Sequence, residues 1–438
     1  MIQVRTLVDE HFGLVNGELH TGNMPVSEIV RVHGTPLFIY DSAILDKKWR
    51  LLRATLPQEF SISYSVKANP NPAVIRHFLE KGCGLEIASG GELHIALKAG
   101  CSPQKMLFAG PGKTEGELEL ALTHGIGEIH IESLLEVERI GNICRRHGRR
   151  ARVAVRVNPD SIAQGGAMRM GGKAVPFGID EEHLDCVLDR ITSYGLLDFR
   201  GLHFYLGTQI LDYSVLIRQY RQVLRVAIRV ADRMQKILQT IDFGGGLGIP
   251  YYAGEQPLDM IKFAEELRLL FLEIRDQPAF SGTQFVVEPG RYLVAEAGIY
   301  VAQVTDIKSS KGKKFLVVDG GMNHHLAASG NLGQVIKRNF PVAVLNRLTE
   351  QPQEIVDIVG PLCTPLDVLA RDIELPRTEV GDLIGVFQSG AYARTASPLG
   401  FLSYPTPAEV LVEDGELRLI RRRGTYEDLL NDIPGDVS

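Results

Sequence analysis

The feature that most constrains the fold is a regular alternation of short, β-rich apolar runs with longer helical patterns between residues 60 and 290. The stretches between the apolar runs mostly place apolar residues three and four positions apart, which indicates helices. Eight strands are predicted, at 61–68, 84–88, 106–109, 128–132, 152–157, 200–206, 240–244 and 284–288. Eight alternations over about 230 residues match a closed (β/α)8 TIM barrel in count and length. A doubly wound open sheet ranks second, because no G-x-G-x-x-G motif follows the first strand.

The pattern changes after residue 290 to strands separated by turns, with little helix. Examples are the runs 299–306, 314–319 and 408–413, which are typical of a β domain. The first forty residues read as extended and are expected to join this domain. We therefore predict a barrel over 42–290 and a β domain formed by 1–41 and 291–438.

Composition excludes several classes of protein. The 438 residues carry a net charge of −6 without a long basic block, which argues against a nucleic-acid partner. No apolar stretch approaches the roughly 18–20 residues that span a membrane, and the first ten residues lack the layout of a signal peptide. The five cysteines are an odd number without a C-x-x-C pair, as in proteins of the reducing cytoplasm. The expected localisation is cytoplasmic.

One lysine stands out at the end of the first predicted barrel strand, in the segment 64–70. Burying a lysine as a cation is costly, and desolvation favours the neutral amine. Lys67 at a barrel mouth is therefore a candidate for a Schiff base with an aldehyde. A strand-end lysine whose ammonium reaches water explains the same position equally well.

Glycine turns follow strands seven and eight, where barrels of this class commonly bind phosphate. Gly244, Gly245 and Gly246 follow strand seven, and Glu288, Gly290 and Arg291 follow strand eight. Glycine lets backbone N–H groups approach an anion closely. A phosphorylated aldehyde held opposite Lys67 is pyridoxal 5′-phosphate, and Glu288 is then predicted to face its pyridine nitrogen.

Several motifs carry a resemblance to a known family. They are YSVKANP at 64–70, GGGLGIPYY at 244–252, EPGRYLVAEAG at 288–298, DGGMN at 319–323, GPLCTPLDVL at 360–369 and GAYA at 390–393. In this order they resemble the fold-type III pyridoxal-phosphate decarboxylases, the group of diaminopimelate and ornithine decarboxylases, which share their barrel with alanine racemase. The resemblance covers residues 36–412 and implies an α-decarboxylase of an amino acid.

The resemblance also implies a homodimer with active sites at its interface. Cys363 of the partner subunit is expected to donate a proton, and Asp367 completes a C-x-x-x-D pattern on the substrate side. Tyr392 and Arg291 are expected to contact the phosphate or the substrate. Tyr205 stands where diaminopimelate enzymes place a histidine against the cofactor ring, and a phenol ring can supply the same contact.

A departure from the family bears on the substrate. Relatives that act on diamino acids have an acidic residue after the proton-donor cysteine, which recognises a distal ammonium, whereas this chain has Thr364. A hydroxyl cannot replace that ion pair, so a diamino acid is not the expected substrate. With MRMGG at 168–172 and GTQ at 207–209, the chain resembles most the branch of the butirosin-pathway decarboxylase, which acts on glutamate tethered to an acyl carrier protein.

Three other functions remain as alternatives: a diaminopimelate decarboxylase, a racemase, and a decarboxylase-like regulator without turnover. Racemases of this type place a neutral partner at the pyridine nitrogen and use a tyrosine base, so Glu288 and Cys363 argue against that function. Loss of the lysine or the cysteine would mark a regulator, and both are present. No metal site is predicted, because the adjacent His324 and His325 would point apart on a strand and lack a suitably spaced third ligand.

Overall fold

The computed structural model describes residues 2–159, 168–169 and 174–434. The chain divides into two compact units. The first comprises Met1–Lys48, Pro250–Glu255 and Leu293–Ser438, and the second comprises Trp49–Ile249 and Gln256–Tyr292. The divisions follow Lys48 and Tyr292, whereas the sequence predicted boundaries after residues 41 and 290.

The N-terminal part of the chain contains both helices and strands. They are α1 (Ile2–His11), β1 (Gly13–Val15), β2 (Glu18–Thr21), β3 (Met24–Pro25), α2 (Val26–His33), β4 (Leu37–Asp41) and α3 (Ser42–Thr55). The prediction that the first forty residues are extended is therefore wrong in two places. In α1 the buried residues Val4, Leu7 and Val8 have the spacing of one helical face, and this face packs into the same core as strand β4.

The middle of the chain alternates strands and helices. The elements are β5 (Phe60–Ser65), α4 (Pro72–Glu80), β6 (Gly84–Ile87), α5 (Gly90–Lys98), β7 (Met106–Phe108), α6 (Glu115–His124), β8 (Glu128–Ile131), α7 (Leu134–His147), β9 (Ala151–Asn158), β10 (Met168–Arg169), β11 (Ile179–Asp180), α8 (Leu184–Ser193), β12 (Leu197–Phe204), β13 (Gly207–Thr208), α9 (Tyr213–Met234), β14 (Thr240–Asp242), α10 (Met260–Ile274) and β15 (Gln284–Val287).

Eight of these strands form the predicted closed barrel. Parallel pairing runs β5–β6–β7–β8–β9–β12–β14–β15, and β15 pairs with β5 to close the circle. Each of the eight predicted strand regions overlaps one barrel strand. The carboxyl ends of all eight strands meet at one end of the barrel, where such folds carry their active sites.

The C-terminal part of the chain is a β domain, as predicted. Its elements are α11 (Arg291–Val294), β16 (Gly298–Ser310), β17 (Lys313–Val318), β18 (Val342–Val344), β19 (Glu354–Val359), β20 (Val368–Leu375), β21 (Leu383–Val386), β22 (Ala408–Glu413) and β23 (Glu416–Arg421). Strand β4 lies between β16 and β22 in this sheet. The N-terminal segment therefore completes the C-terminal domain, because its strand forms hydrogen bonds on both edges.

The helices of the described parts of the chain do not combine the length and the apolar character that crossing a lipid bilayer requires. The longest, α9, has buried residues such as Val223 and Val230 along one face, and charged residues such as Arg221 and Arg229 form surface ion pairs. This amphipathic pattern is that of a helix packed on the outside of a barrel.

Candidate active site

Lys67 lies in a short 3₁₀ turn, Val66–Ala68, immediately after barrel strand β5. The prediction placed it inside the strand, but the strand ends at Ser65. The hydroxyl of Tyr64 donates to the carbonyl of Asn69 at 2.9 Å, and the side chain of Asn71 caps α4 by accepting from Ala73 N. These local bonds compete with strand pairing and turn the chain into the helix, so Lys67 stands at the barrel mouth.

A buried carboxylate holds the lysine amine. The Nζ atom of Lys67 donates to both oxygens of Glu86, at 2.8 and 2.7 Å, and Ser65 Oγ donates to the same carboxylate at 2.5 Å. The side chain of Glu86 is 2% exposed, whereas that of Lys67 is 38% exposed.

The glycines after strands β14 and β15 stand where side chains do not fit. A Cβ atom on Gly245 would lie 2.8 Å from the carbonyl oxygen of Glu288, and one on Gly290 would lie 2.9 Å from Cβ of Ala68, next to the lysine. Gly244 and Gly246 have φ angles of +70° and +110°, which favour glycine. These two turns, at the carboxyl ends of the strands, form a glycine cradle in which the backbone packs too closely for side chains, while Gly245 and Gly246 stay partly exposed.

Glu288 follows strand β15 and faces a buried polar cluster. Its Oε2 atom lies 3.3 Å from His203 Nε2, and the rings of His203 and His130 are 4.2 Å apart between centroids. The carboxyl group of Asp242 completes the cluster, and the four potential ligand atoms lie within 4.8 Å of one another. The Oε1 atom of Glu288 is buried, and among the described residues it has no hydrogen-bond donor.

Burial sets the protonation of this cluster. Burial, assisted by His130 and Arg156, lowers the pKa of His203 well below its ordinary value. Burial, followed by the neighbouring Glu288 carboxylate, raises the pKa of Asp242 well above its ordinary value. Both shifts favour the uncharged forms of His203 and Asp242, and an uncharged Asp242 reduces the repulsion between the two carboxyl groups.

Tyr205, directly after strand β12, is half-buried between two cations. Lys67 Nζ lies 6.0 Å from the centroid of its ring and the Arg156 guanidinium 5.8 Å. A Cβ atom on Gly245 would lie 3.6 Å from Cε2 of the same ring. Tyr205 is thus next to both the lysine turn and the glycine cradle, while the neighbouring His203 points into the cluster around Glu288.

A second ionic network, which the sequence did not reveal, supports the barrel mouth. Arg156 Nη1 lies 2.8 Å from Glu132 Oε1, which also accepts from Gly110 N at 2.6 Å. Lys113, in the loop after β7, is fully buried and pairs with Glu136 at 2.9 Å. Its remaining bonds go to backbone carbonyls, so it fixes this loop.

In the other unit, Cys363 is one of only two exposed cysteines among the five free thiols. It lies in the loop between β19 and β20, four residues before Asp367. The Asp367 carboxylate accepts from Met322 N at 2.6 Å and from Leu362 N at 2.9 Å. Asp367 is 2% exposed, and its two hydrogen bonds hold the backbone of the cysteine loop. Its contact with the substrate stays a prediction.

Thr364 is half-buried in the same loop, and its hydroxyl accepts from Leu366 N at 3.3 Å. Tyr392 follows in a second turn with φ of +52°. The backbone of Gly390 packs directly against that of Val294, because a Cβ atom on Gly390 would lie 1.8 Å from the Val294 carbonyl oxygen. His325, behind this turn, hydrogen-bonds to Ser389 Oγ at 2.9 Å.

Comparison with known proteins decides the class. The profile of the family described as "Pyridoxal-dependent decarboxylase, pyridoxal binding domain" matches residues 42–295, more than half of the chain. The chain belongs to this family. The decarboxylase therefore uses pyridoxal 5′-phosphate, and its barrel is the cofactor domain.

Relatives with different substrates match nearly the whole decarboxylase. An L-glutamyl-[BtrI acyl-carrier protein] decarboxylase of Niallia circulans is 38% identical, over 92% of this chain and 95% of that protein. A diaminopimelate decarboxylase of Aquifex aeolicus is 32% identical over 94% of each chain. The crystal structure of a diaminopimelate decarboxylase from M. jannaschii with L-lysine superposes with a TM-score of 0.89, at 27% identity, over 96% of this chain and 97% of that one.

The predicted site falls into two groups of residues. The barrel unit holds Lys67, Tyr205, Glu288, Arg291 and the glycines, and the β unit holds Cys363, Thr364, Asp367 and Tyr392. The segment 168–172, used in the branch assignment, lies partly outside the described residues. Glu86, Arg156 and Asp242 are additions from the structure, each identified by burial together with a charged neighbour.

Proposed function

We propose that the decarboxylase removes the α-carboxylate of an amino-acid group whose far end carries no ammonium, with glutamate tethered to a carrier protein as the leading substrate. The observation that carries this proposal is the neutral Thr364 directly after Cys363. The similarity to a carrier-protein glutamyl decarboxylase supports it. In a carrier-bound substrate, the tether is attached at the end of the substrate far from the α-carboxylate. That end carries no ammonium group, so an acidic residue at position 364 would have no cation to pair with.

The carboxylate of Asp367 does not take over the role of the acidic residue that is absent at position 364. Both oxygens of Asp367 accept backbone hydrogen bonds, and Cβ atoms on Gly321 and Gly360 would each lie 2.2 Å from one of these oxygens. An ammonium group has no room to approach through these glycines. This loop is therefore suited to a neutral or extended substrate end.

The residues of the barrel mouth fit the cofactor. The cofactor supplies an electron sink for the electron pair left by CO2. Lys67 is the amine that bonds to its aldehyde, and Glu288 is the carboxylate that accepts from a protonated pyridine nitrogen. Tyr205 lies against the ring, while Gly244, Gly245, Gly246 and Gly290 hold the phosphate, with Arg291 and Tyr392 at the phosphate or substrate.

Two groups are proposed to move protons. Glu86 accepts a proton from Lys67 Nζ, because its two oxygens already receive the amine hydrogens. Cys363 donates a proton to the carbon that has lost CO2, and we place it in the active site of the partner subunit of a cytoplasmic homodimer. A thiol suits this step because its pKa is tuned by nearby charge.

The test is CO2 release from the purified holoenzyme. Substrates are free L-glutamate, an L-glutamyl group on a phosphopantetheinylated carrier protein, meso-diaminopimelate and L-ornithine. We expect turnover of the carrier-bound group, with the diamino acids at least about 100-fold slower, because a lost buried ion pair costs about 3 kcal/mol. Efficient turnover of meso-diaminopimelate would overturn the proposed substrate and favour diaminopimelate, the substrate in the name of the A. aeolicus relative.

A variant separates substrate choice from catalysis. Thr364→Glu restores the acid of the diamino-acid enzymes, and Thr364→Gln is its neutral control of similar size. The acidic variant should lose activity on the carrier-bound group and gain it on a diamino acid. Equal effects of the two variants would show that residue 364 does not select substrates by their charge.

A further inference from the structure

A cavity of about 400 Å³ lies at the end of the barrel opposite Lys67. Its wall includes Ser61, Gly84, Glu128, Arg152 and Gln284, which are at or next to the first residues of five barrel strands. Because the strands are parallel, these positions are at the amino end, whereas Lys67 and Glu288 follow carboxyl ends. The volume is in the range of roughly 300–1,000 Å³ that accommodates small ligands.

The wall of this amino-end cavity is strongly basic. Five cationic side chains line it, with Glu128 as the acidic residue of the lining: Arg53, Lys81, Lys105, Arg152 and Arg200. The whole chain has 47 basic against 53 acidic residues, so this excess is local and does not follow from composition. Cations gathered around one concave space raise its potential and attract an anion.

Some of these cations are fixed by the protein itself. The guanidinium of Arg53 donates to the backbone carbonyls of Phe60 and Leu56, at 2.6 and 2.9 Å, and contributes charge from a fixed position. Arg200 pairs with Asp198 at 3.2 Å. Glu128 lies 3.2 Å from His130 Nε2, on the side of the barrel interior.

Two others keep their donors available. In the part of the chain that the structure describes, the side chains of Lys105 and Arg152 have no hydrogen bond or ion pair with protein groups, and both residues are exposed. They come from different strand ends, before β7 and in β9. An arginine fork and a lysine point charge facing one space are the donors that recognise phosphate or carboxylate.

We propose that the amino-end cavity binds a small polyanion bearing phosphate or carboxylate groups, with Lys105 and Arg152 as its mobile donors. Arg53 supplies fixed positive charge, and the polar wall at Ser61 and Gln284, which hydrogen-bond to each other at 2.7 Å, excludes an apolar ligand. The site is separate from the cofactor phosphate cradle, because the two are at opposite ends of the strands.

The experiment is calorimetric titration of the holoenzyme, in which the cofactor already fills the catalytic phosphate site. Inorganic pyrophosphate and citrate are the two probes, at constant ionic strength. We expect one site per chain for at least one probe. The Lys105→Gln and Arg152→Gln variants should each weaken binding about tenfold, while Arg268→Gln, an exposed arginine on α10, should leave it unchanged.

The probes also identify the anion. Binding of pyrophosphate alone indicates a phosphate ligand, and binding of citrate alone indicates a polycarboxylate. Unchanged decarboxylation and thermal unfolding would show that the variants are folded. The proposal is overturned if neither probe binds, or if the Arg268→Gln variant weakens binding as much as the two cavity variants.

Discussion

Lys67 Nζ lies 2.8 and 2.7 Å from the two carboxylate oxygens of Glu86, on the neighbouring strand β6. The pairing fixes the amine between the first two strands of the barrel. Ser65 adds a third bond to the same carboxylate. A lysine in bonding contact with a buried carboxylate is held in one place and has an acceptor for its proton.

The first prediction concerns this carboxylate. Glu86→Gln keeps the size of the side chain but removes the proton acceptor, so kcat should fall about 100-fold, the lower range for general acid–base groups. Cofactor content, measured by visible absorbance, should stay near that of the parent. The pH profile of kcat should shift, because Lys67 loses its charged partner.

Glu115→Gln is the matched control, since Glu115 forms an exposed ion pair with Arg146 on the outer surface. It should leave kcat within about twofold, as expected for surface substitutions. A Glu86→Gln enzyme with parental kcat and pH profile would remove Glu86 from the proposed proton transfer.

Tyr205 carries the second prediction. Tyr205→Phe keeps the aromatic ring and should retain the cofactor, whereas Tyr205→Ala should weaken cofactor affinity about tenfold, the scale of one aromatic stacking contact. Affinity is measured by titrating cofactor into the dialysed enzyme. Tyr213→Ala, at the start of helix α9, serves as the control, and an equal loss in that variant would contradict a specific role of Tyr205.

A third prediction concerns the loop of the proton donor. Asp367→Asn replaces one oxygen by an NH2 group that faces a backbone N–H, so the free energy of unfolding should fall by about 2 kcal/mol. Denaturant unfolding of the full-length protein measures the change. Asp372→Asn is the control, because Asp372 is exposed, pairs with Lys313 and has φ of +46°, which asparagine tolerates. Equal stability of both variants would show that the Asp367 bonds contribute little.

The fourth prediction is a pH dependence of stability. Burial lowers the pKa of His324 to about 4 and that of His325 to about 3. An unfolded histidine titrates near 6.5, so the unfolded state binds more protons between pH of about 6.5 and 4. The free energy of unfolding should therefore fall as the pH decreases through this window.

Urea unfolding at about pH 7.5 and about pH 5 measures the effect. Each histidine should contribute about 2 kcal/mol to the difference, so His325→Gln should reduce the pH dependence by that amount. His183→Gln, an exposed histidine, should not change it. A pH dependence that is identical in all three proteins would place the titrating groups elsewhere.

The barrel could be predicted because its signal is local. Each barrel strand overlaps its predicted run, although β5, β9 and β12 begin one to three residues earlier, and the order of runs fixes the parallel topology. The two N-terminal helices were missed since turn-rich residues such as 13–17 dominate the pattern, while the face of Val4, Leu7 and Val8 becomes apparent only against the β sheet. Lys67 was placed inside a strand that in fact ends two residues earlier, at Ser65, because apolar spacing cannot show where side-chain hydrogen bonds end a strand.

Sequence alone determined the fold class and the cofactor family, and it predicted Lys67 as the reactive amine, because glycine turns, a strand-end amine and motif order are properties of the chain itself. Tertiary structure alone decided which charges meet. Glu86, Asp242 and the basic amino-end cavity depend on strands far apart in sequence being adjacent around the barrel, and the shifted pKa values of His203 and Asp242 depend on their burial there. Neither adjacency nor burial is written in any local run of residues.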